Sequence, residues 1–265
     1  MAPDRSLDGY DLAFVDESIH PDADAIVTAI VVARRTLDEA MSEALSAHGF
    51  VPGIDEFKSS APKASDENGR RLRDQMWSIL MTEGCRVGVA INPLSERKQL
   101  ASSALGLLES MVREGRLKRG AAVWFDDGLL TADARSRLSK LQSESRIAVQ
   151  DESDSRRIYG LQLADLCAHT AATMLRSRMG LIRKEYPSPE GSGYGSDTMM
   201  ELGFELWARL RHNLASSKRI SEEGDDQGSI ATLEPFGLRI ADSCSSAVKE
   251  AADLAFGSVY VGCIH

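Results

Sequence analysis

The longest apolar run in the sequence, Ala25–Ala33, limits what the chain can form. The run reads AIVTAIVVA and only Thr28 interrupts it. It is far shorter than the ~18–20 residues that cross a bilayer, and its β-branched residues are typical of a strand. A second apolar run, Tyr10–Val15, precedes it across a short polar stretch. Two such runs predict an antiparallel hairpin.

The chain beyond this hairpin alternates between helical and strand patterns. Helices are predicted at Thr36–His48, Asp66–Glu83, Ser95–Arg113, Thr131–Gln142 and Ser155–Met179. Strands are predicted at Arg86–Ile91, Ala121–Phe125 and Arg146–Val149. The sequence therefore predicts an α/β fold, in which a mixed central sheet of about five strands is covered by helices.

The pattern changes after Gly180. Residues 185–196 read EYPSPEGSGYGS, which is typical of a loop. Further helices are predicted at Asp197–Leu214 and Ser243–Phe256. We therefore expect a core domain over residues 1–180 and a C-terminal extension over residues 181–265 that caps the core without joining its sheet.

Charge and cysteine content restrict the partners and the location of the protein. The 31 Lys and Arg against 40 Asp and Glu give a formal net charge of −9 at pH 7. Binding to nucleic acid then requires a local basic surface or metal ions, because the average field repels phosphates. The four cysteines have no CxxC spacing, so neither a zinc site nor a disulfide framework is expected. With no signal-peptide pattern or membrane span, a cytoplasmic location is expected.

Acidic residues in apolar surroundings are the candidate functional groups. Asp16 and Asp126 each follow an apolar run directly, Asp165 lies within the most apolar helix, and Glu56 precedes Phe57. An unpaired carboxylate in such a setting costs several kcal/mol, so it requires a cation, a hydrogen-bond donor or a proton. Carboxylates from separate segments are the ligands that Mg²⁺ and Mn²⁺ prefer, and such ions support phosphodiester cleavage.

Each of these acids also has a structural interpretation. An acid after a strand is commonly a turn former or a helix N-cap. The structural alternative for Asp165 is a salt bridge to a neighbouring arginine. Basic residues cluster at Arg70, Arg71 and Arg73, at Arg113, Arg116, Lys118 and Arg119, and at Arg176, Arg178, Arg183 and Lys184. Such clusters are usually solvated faces, and the alternative is that they guide a phosphate backbone.

Several segments together resemble a known family. They are AFVDES at Ala13–Ser18, the apolar strand Ala25–Ala33, EFKSS at Glu56–Ser60, VWFDD at Val123–Asp127 and LQLADL at Leu161–Leu166. In this order and spacing they resemble the domain of unknown function 3800 family over about residues 10–178. The family's first motif is a strand followed by Asp-Glu-Ser-Gly, and here Ile19 replaces the glycine.

The resemblance implies a ribonuclease H-like fold, which is shared with nucleases, integrases and transposases. It also implies that Asp16, Asp165 and either Asp126 or Asp127 are metal ligands, with Glu56 as an auxiliary acid. Lys58 is expected to contact the scissile phosphate, and its alternative role is that of a solvated partner for an acid.

We therefore expect a metal-dependent nuclease that hydrolyses DNA or RNA. Its predicted catalytic residues are Asp16, Glu56, Lys58, Asp126 and Asp165, of which the four acids hold Mg²⁺ or Mn²⁺. The alternative is a non-catalytic adaptor that binds nucleic acid or protein with the same fold, in a defence or mobile-element system. The type of nucleic acid, endo- or exonuclease action and the oligomeric state stay open.

Overall fold

The protein has a mixed α/β fold in which helices cover a central sheet. The computed structural model describes residues 10–61, 64, 66–117, 120–130, 135, 146–188, 195, 197–216, 218–221, 229–234 and 237–262. Nearly all of the predicted helix Thr131–Gln142 lies outside these residues. None of the helices in the described part of the chain combines the length and the apolar character needed to cross a bilayer.

The strands and helices are numbered in chain order. The strands are β1 (Asp11–His20), β2 (Ala25–Ala33), β3 (Arg86–Asn92), β4 (Ala121–Phe125), β5 (Ile147–Val149), β6 (Glu185–Pro187), β7 (Met199–Glu201), β8 (Lys218–Ser221), β9 (Ser229–Thr232), β10 (Leu238–Ile240) and β11 (Ser258–Tyr260). The α-helices are α1 (Asp38–Ala47), α2 (Glu67–Thr82), α3 (Leu100–Arg113), α4 (Tyr159–Arg178), α5 (Leu202–Leu210) and α6 (Ser246–Ala252).

The central sheet has the strand order β10-β3-β2-β1-β4-β5. The predicted hairpin is confirmed, because β1 and β2 pair antiparallel. β2 is also antiparallel to β3, whereas the pairs β1–β4, β4–β5 and β3–β10 are parallel. β2 is therefore the one strand of this sheet that runs against the others.

Helices pack on both faces of the sheet. All nine residues of β2 are buried, as expected of a central strand that is covered on both sides. Phe14 packs with residues of α4 on one face, whereas Ala13 and Val15 pack with residues of α3 on the other. Because side chains alternate along a strand, Asp16 lies on the same face of β1 as Phe14 and is directed toward α4.

Two element boundaries differ from the prediction in ways that matter for the acidic residues. β1 continues through Asp16 to His20, because backbone pairing with β2 persists to the register His20↔Ala25 despite the polar side chains. Asp16 thus lies within a strand rather than after one. α4 begins at Tyr159, four residues later than predicted, so Ser155 lies in the preceding turn.

The expectation that residues 181–265 stay outside the central sheet is wrong. β10 pairs in parallel with β3 and forms an edge of that sheet. Leu214 also forms a bridge with Val87 at the start of β3. A three-residue strand is too short to show an alternating pattern, so the sequence contains no signal from which β10 could be predicted.

Candidate active site

Parallel pairing of β1 with β4 brings Asp16 and Asp126 together. Val15 lies opposite Phe125, and the Asp126 N–H donates to the Val15 carbonyl at 2.9 Å. Asp16 is 4% exposed. Its Oδ1 accepts from the Glu17 N–H at 2.7 Å, whereas its buried Oδ2 accepts no hydrogen bond from the described residues. One buried carboxylate oxygen is therefore left without a donor.

Lys58 lies among three of the predicted site acids. Its Nζ is 3.1 Å from Glu56 Oε1, 3.2 Å from Asp126 Oδ2 and 3.8 Å from Asp16 Oδ2. Of the two contacts that Lys58 makes with aspartates, only the one with Asp126 Oδ2 has hydrogen-bond geometry. We call these four residues the Lys58 cluster. The prediction that these residues share a site is consistent with this geometry, while their catalytic and metal-binding roles stay predictions.

The electrostatics of the Lys58 cluster are dominated by burial. Burial and the nearby Asp126 charge raise the pKa of Asp16 to about 9, against the opposing effect of Lys58. Burial likewise raises the pKa of Asp126, and Lys58 opposes the shift. Burial lowers the pKa of Lys58, but the surrounding carboxylates raise it by more, so this amine stays protonated. The fold thus places the protonated Lys58 beside Asp16, whose raised pKa favours the neutral carboxyl.

Asp165 reaches the same region from α4. Its Oδ2 accepts from the Ser59 N–H at 2.7 Å, which ties the helix to the segment that carries Lys58. The negative charge of Asp165 also contributes to the raised pKa of Asp16. Among the ion pairs of the described residues, none joins Asp165 to an arginine. The nearby Arg73 guanidinium nevertheless interacts electrostatically with Asp165 and helps to balance its charge.

Gln162 is a site residue that the sequence analysis missed. Its Oε1 accepts from the Phe57 N–H at 3.0 Å, and its Nε2 donates to the Ser155 carbonyl at 2.8 Å. The Ser155 hydroxyl in turn donates to Glu56 Oε1. Gln162 is 1% exposed and lies three residues before Asp165, so both side chains leave the same side of α4. The three-residue spacing of Gln162 and Asp165 within LQLADL was the sequence pattern from which Gln162 could have been predicted as a site residue.

An open groove adjoins the Lys58 cluster. It has a volume of about 380 Å³ and is lined by Glu56, Lys58, Asp126, Asp127 and residues 152–156. Asp127 is exposed in this groove, whereas Asp126 contacts Lys58. Of the two neighbouring aspartates, Asp126 is therefore the one within the cluster.

The donor atoms of the site match the ligand preference of a hard divalent cation. Four carboxylates approach from β1, the end of β4, α4 and the segment before Ser59, and one buried Asp16 oxygen has no donor. Within the described part of the chain, however, no three acidic, histidine or cysteine side chains converge to hold a metal ion. The ammonium of Lys58 supplies the positive charge among these acids.

Comparisons with known proteins identify no family. No known protein family and no curated protein matches this chain. Similar solved structures include the PCNA:RNase HII complex from Archaeoglobus fulgidus, with 16% identity over 76% of this chain and 88% of the matched chain and a TM-score of 0.35. Another is ribonuclease H2 from Pyrococcus horikoshii OT3, with 16% identity over 92% and 98% and a TM-score of 0.38. At such TM-scores neither structure supports a functional assignment, and the resemblance to the domain of unknown function 3800 family stays a prediction.

Proposed function

We propose that the protein is a metal-dependent nuclease that hydrolyses phosphodiester bonds of DNA or RNA. The observation that carries this proposal is Asp16, a buried carboxylate beside Asp126 with one oxygen that lacks a hydrogen-bond donor. Without a metal ion, this arrangement favours a protonated Asp16. A divalent cation would stabilise the ionised carboxylates and satisfy the unpartnered oxygen.

We also infer that the sheet is ribonuclease H-like. Its strands β3, β2, β1, β4 and β5 lie side by side in this order, and β2 alone is antiparallel to the rest. This order supports the fold that the family resemblance implies. Because one fold hosts many activities, the nuclease proposal rests on the site residues and not on the fold.

Each site residue has a proposed role. Asp16, Asp126 and Asp165 would hold Mg²⁺ or Mn²⁺, and Glu56, oriented by the Ser155 hydroxyl, would serve as a fourth ligand or as a general base. A metal ion bound here supplies the Lewis acidity that activates water and stabilises the leaving oxygen. Lys58 is one-third exposed at the groove, so its ammonium can also neutralise a substrate phosphate.

A second candidate function is a non-catalytic adaptor that binds nucleic acid or protein. The observation that favours it is Lys58, whose ammonium already balances three carboxylates. A lysine in this position can stabilise the acids without a metal ion, as a purely structural charge network would require. Metal dependence and cleavage distinguish the two candidates.

The decisive experiment compares Asp126→Asn with Asp127→Asn. Single- and double-stranded DNA and RNA are incubated with each variant in Mg²⁺, Mn²⁺ or EDTA, and cleavage is followed on gels. We expect metal-dependent cleavage by the wild type, a loss of at least 100-fold in Asp126→Asn, and near-normal cleavage by Asp127→Asn, whose carboxylate lies outside the Lys58 cluster. No cleavage of any substrate by the folded wild type, or equal activity of both variants, would contradict the proposed site.

A further inference from the structure

A buried serine hydroxyl beside the Lys58 cluster has no hydrogen-bond partner. Ser59 follows Lys58 at the start of a turn in which the Ala61 N–H donates to the Lys58 carbonyl at 2.9 Å. Ser59 is 6% exposed, and its Oγ neither donates nor accepts a hydrogen bond within the described part of the chain. A hydroxyl that loses its contact with water in this way destabilises the fold unless another group binds it.

The structural contact of Ser59 is made by its backbone. The Ser59 N–H donates to Asp165 Oδ2 at 2.7 Å and joins this turn to α4. Every residue except proline has such an N–H, so the contact does not require a serine. Alanine in this position would keep the N–H and would bury no hydroxyl. The contact with Asp165 therefore does not account for the serine side chain.

The position of Ser59 indicates what its hydroxyl binds. Because a serine side chain is short, the hydroxyl lies close to the Asp165 carboxylate that the Ser59 N–H contacts. Asp165 also acts electrostatically on Asp16, whose buried Oδ2 accepts no hydrogen bond from the described residues. Two oxygens without partners thus belong to residues that adjoin the same acids. A divalent cation takes several oxygen ligands, and a serine hydroxyl is among those that hold Mg²⁺ in phosphoryl-transfer sites.

We propose that the Ser59 hydroxyl is an oxygen ligand for the divalent cation of the proposed active site. This inference rests on the proposed metal-dependent function, and it adds a neutral ligand to the carboxylates of Asp16, Asp126 and Asp165. A neutral ligand completes the coordination of a cation without adding to the repulsion among the acids. The hydroxyl then gains its partner only when the cation binds, which explains why it has none in the metal-free fold.

Ser59→Ala tests this ligand, because it removes the hydroxyl and keeps the backbone N–H that binds Asp165. Ser60→Ala is the matched control, since this neighbouring serine is exposed and lies outside the Lys58 cluster. The melting temperature of the full chain and of each variant is measured in EDTA and at increasing concentrations of Mn²⁺. Cleavage of DNA and RNA is measured at the same concentrations of Mn²⁺.

We expect Ser59→Ala to be at least as stable as the wild type in EDTA, because no hydrogen bond is lost. Its melting temperature and its cleavage should respond to Mn²⁺ only at concentrations roughly 10–100-fold higher, as is typical when a group that supports a metal site is removed. Ser60→Ala should match the wild type.

Two results would overturn the role of Ser59 while leaving the metal site in place. One is an Mn²⁺ response of Ser59→Ala equal to that of the wild type. The other is destabilisation of Ser59→Ala in EDTA, because the hydroxyl would then contribute to the metal-free fold. A wild type that does not respond to Mn²⁺ would instead contradict the proposed function, and with it this ligand.

Discussion

Asp16 illustrates how a single residue can make stability depend on pH. Its folded pKa of about 9 lies above its ordinary value of 3.8, mainly because the side chain is buried and because Asp126 is close. The folded protein therefore prefers the protonated carboxyl. The stabilisation from this proton is complete below about pH 4 and is lost as the pH rises through about 9.

We therefore predict that the metal-free protein loses stability between pH 5 and pH 9, and that Asp16→Asn loses less. Asparagine is nearly isosteric and carries no charge at either pH, so this variant lacks the ionisation that penalises the wild type. Urea unfolding in EDTA at both pH values measures the difference. Parallel stability changes in the two proteins would mean that Asp16 is ionised in the fold already at pH 5.

Substitution of Gln162 should lower both the stability of the protein and its cleavage activity. Gln162→Leu leaves the Phe57 N–H and the Ser155 carbonyl without their partner, and a buried polar group left in this way costs about 1–3 kcal/mol. Glu56 and Lys58 flank this contact along the chain, so cleavage should fall by more than the loss of folded protein explains. Gln99→Leu, at an exposed glutamine, is the control. Normal cleavage per folded molecule of Gln162→Leu would argue against a role of Gln162 in positioning Glu56 and Lys58.

At the scale of elements, the contact between α4 and β1 decides where Asp165 lies. Gly160, in the first turn of α4, packs directly on the Phe14 ring, which stacks on Trp124 with ring centroids 5.3 Å apart. A Cβ built on Gly160 would be 2.4 Å from the Phe14 ring. The stacked Trp124 restricts how far Phe14 can yield, so this glycine sets the close approach of helix and strand.

Gly160→Ala should therefore separate α4 from β1. We expect a destabilisation of about 1–3 kcal/mol, as is typical of overpacking, and weaker cleavage because Asp165 moves with the helix. Gly257→Ala is the matched control, because its new Cβ would meet nothing closer than 3.8 Å. Urea unfolding and cleavage assays of both variants test this. Equal stability of Gly160→Ala and the wild type would contradict the packing described here.

At the scale of the whole molecule, the proposed metal site couples ligand binding to folding. A cation that binds the folded chain and not the unfolded chain raises the melting temperature. We predict that Mn²⁺ raises the melting temperature of the wild type relative to EDTA, and that Asp165→Ala reduces this rise. In EDTA, Asp165→Ala should cost about 1–3 kcal/mol, because the buried Ser59 N–H loses its acceptor. Calorimetric scans with Mn²⁺ and with EDTA measure both quantities.

Lys58→Gln provides the complementary measurement. This substitution removes the ammonium that lies among the three acids. The variant should therefore be less stable than the wild type in EDTA, and Mn²⁺ should raise its melting temperature by more. Asn68→Asp, at a surface position of α2 outside the Lys58 cluster, controls for a one-unit change in charge. A wild type whose melting temperature does not respond to Mn²⁺ would favour the structural adaptor.

The sequence by itself determined the elements whose patterns are local. The hairpin of β1 and β2, the strand β4 and the helix α2 follow from their apolar patterns. The approximate location of the candidate site was also predictable. A carboxylate within a buried run is costly, so Asp16, Asp126 and Asp165 stood out before their neighbours were known.

Only the tertiary structure decided what those acids contact. The register between β1 and β4 sets Asp16 beside Asp126, and the packing of α4 on β1 brings Asp165 to Ser59. The Lys58 ammonium among three acids, the bridging role of Gln162 and the pairing of β10 with β3 all join residues distant in the chain. Local patterns record which face of an element is buried, whereas contacts between distant segments depend on register and on packing of the whole chain.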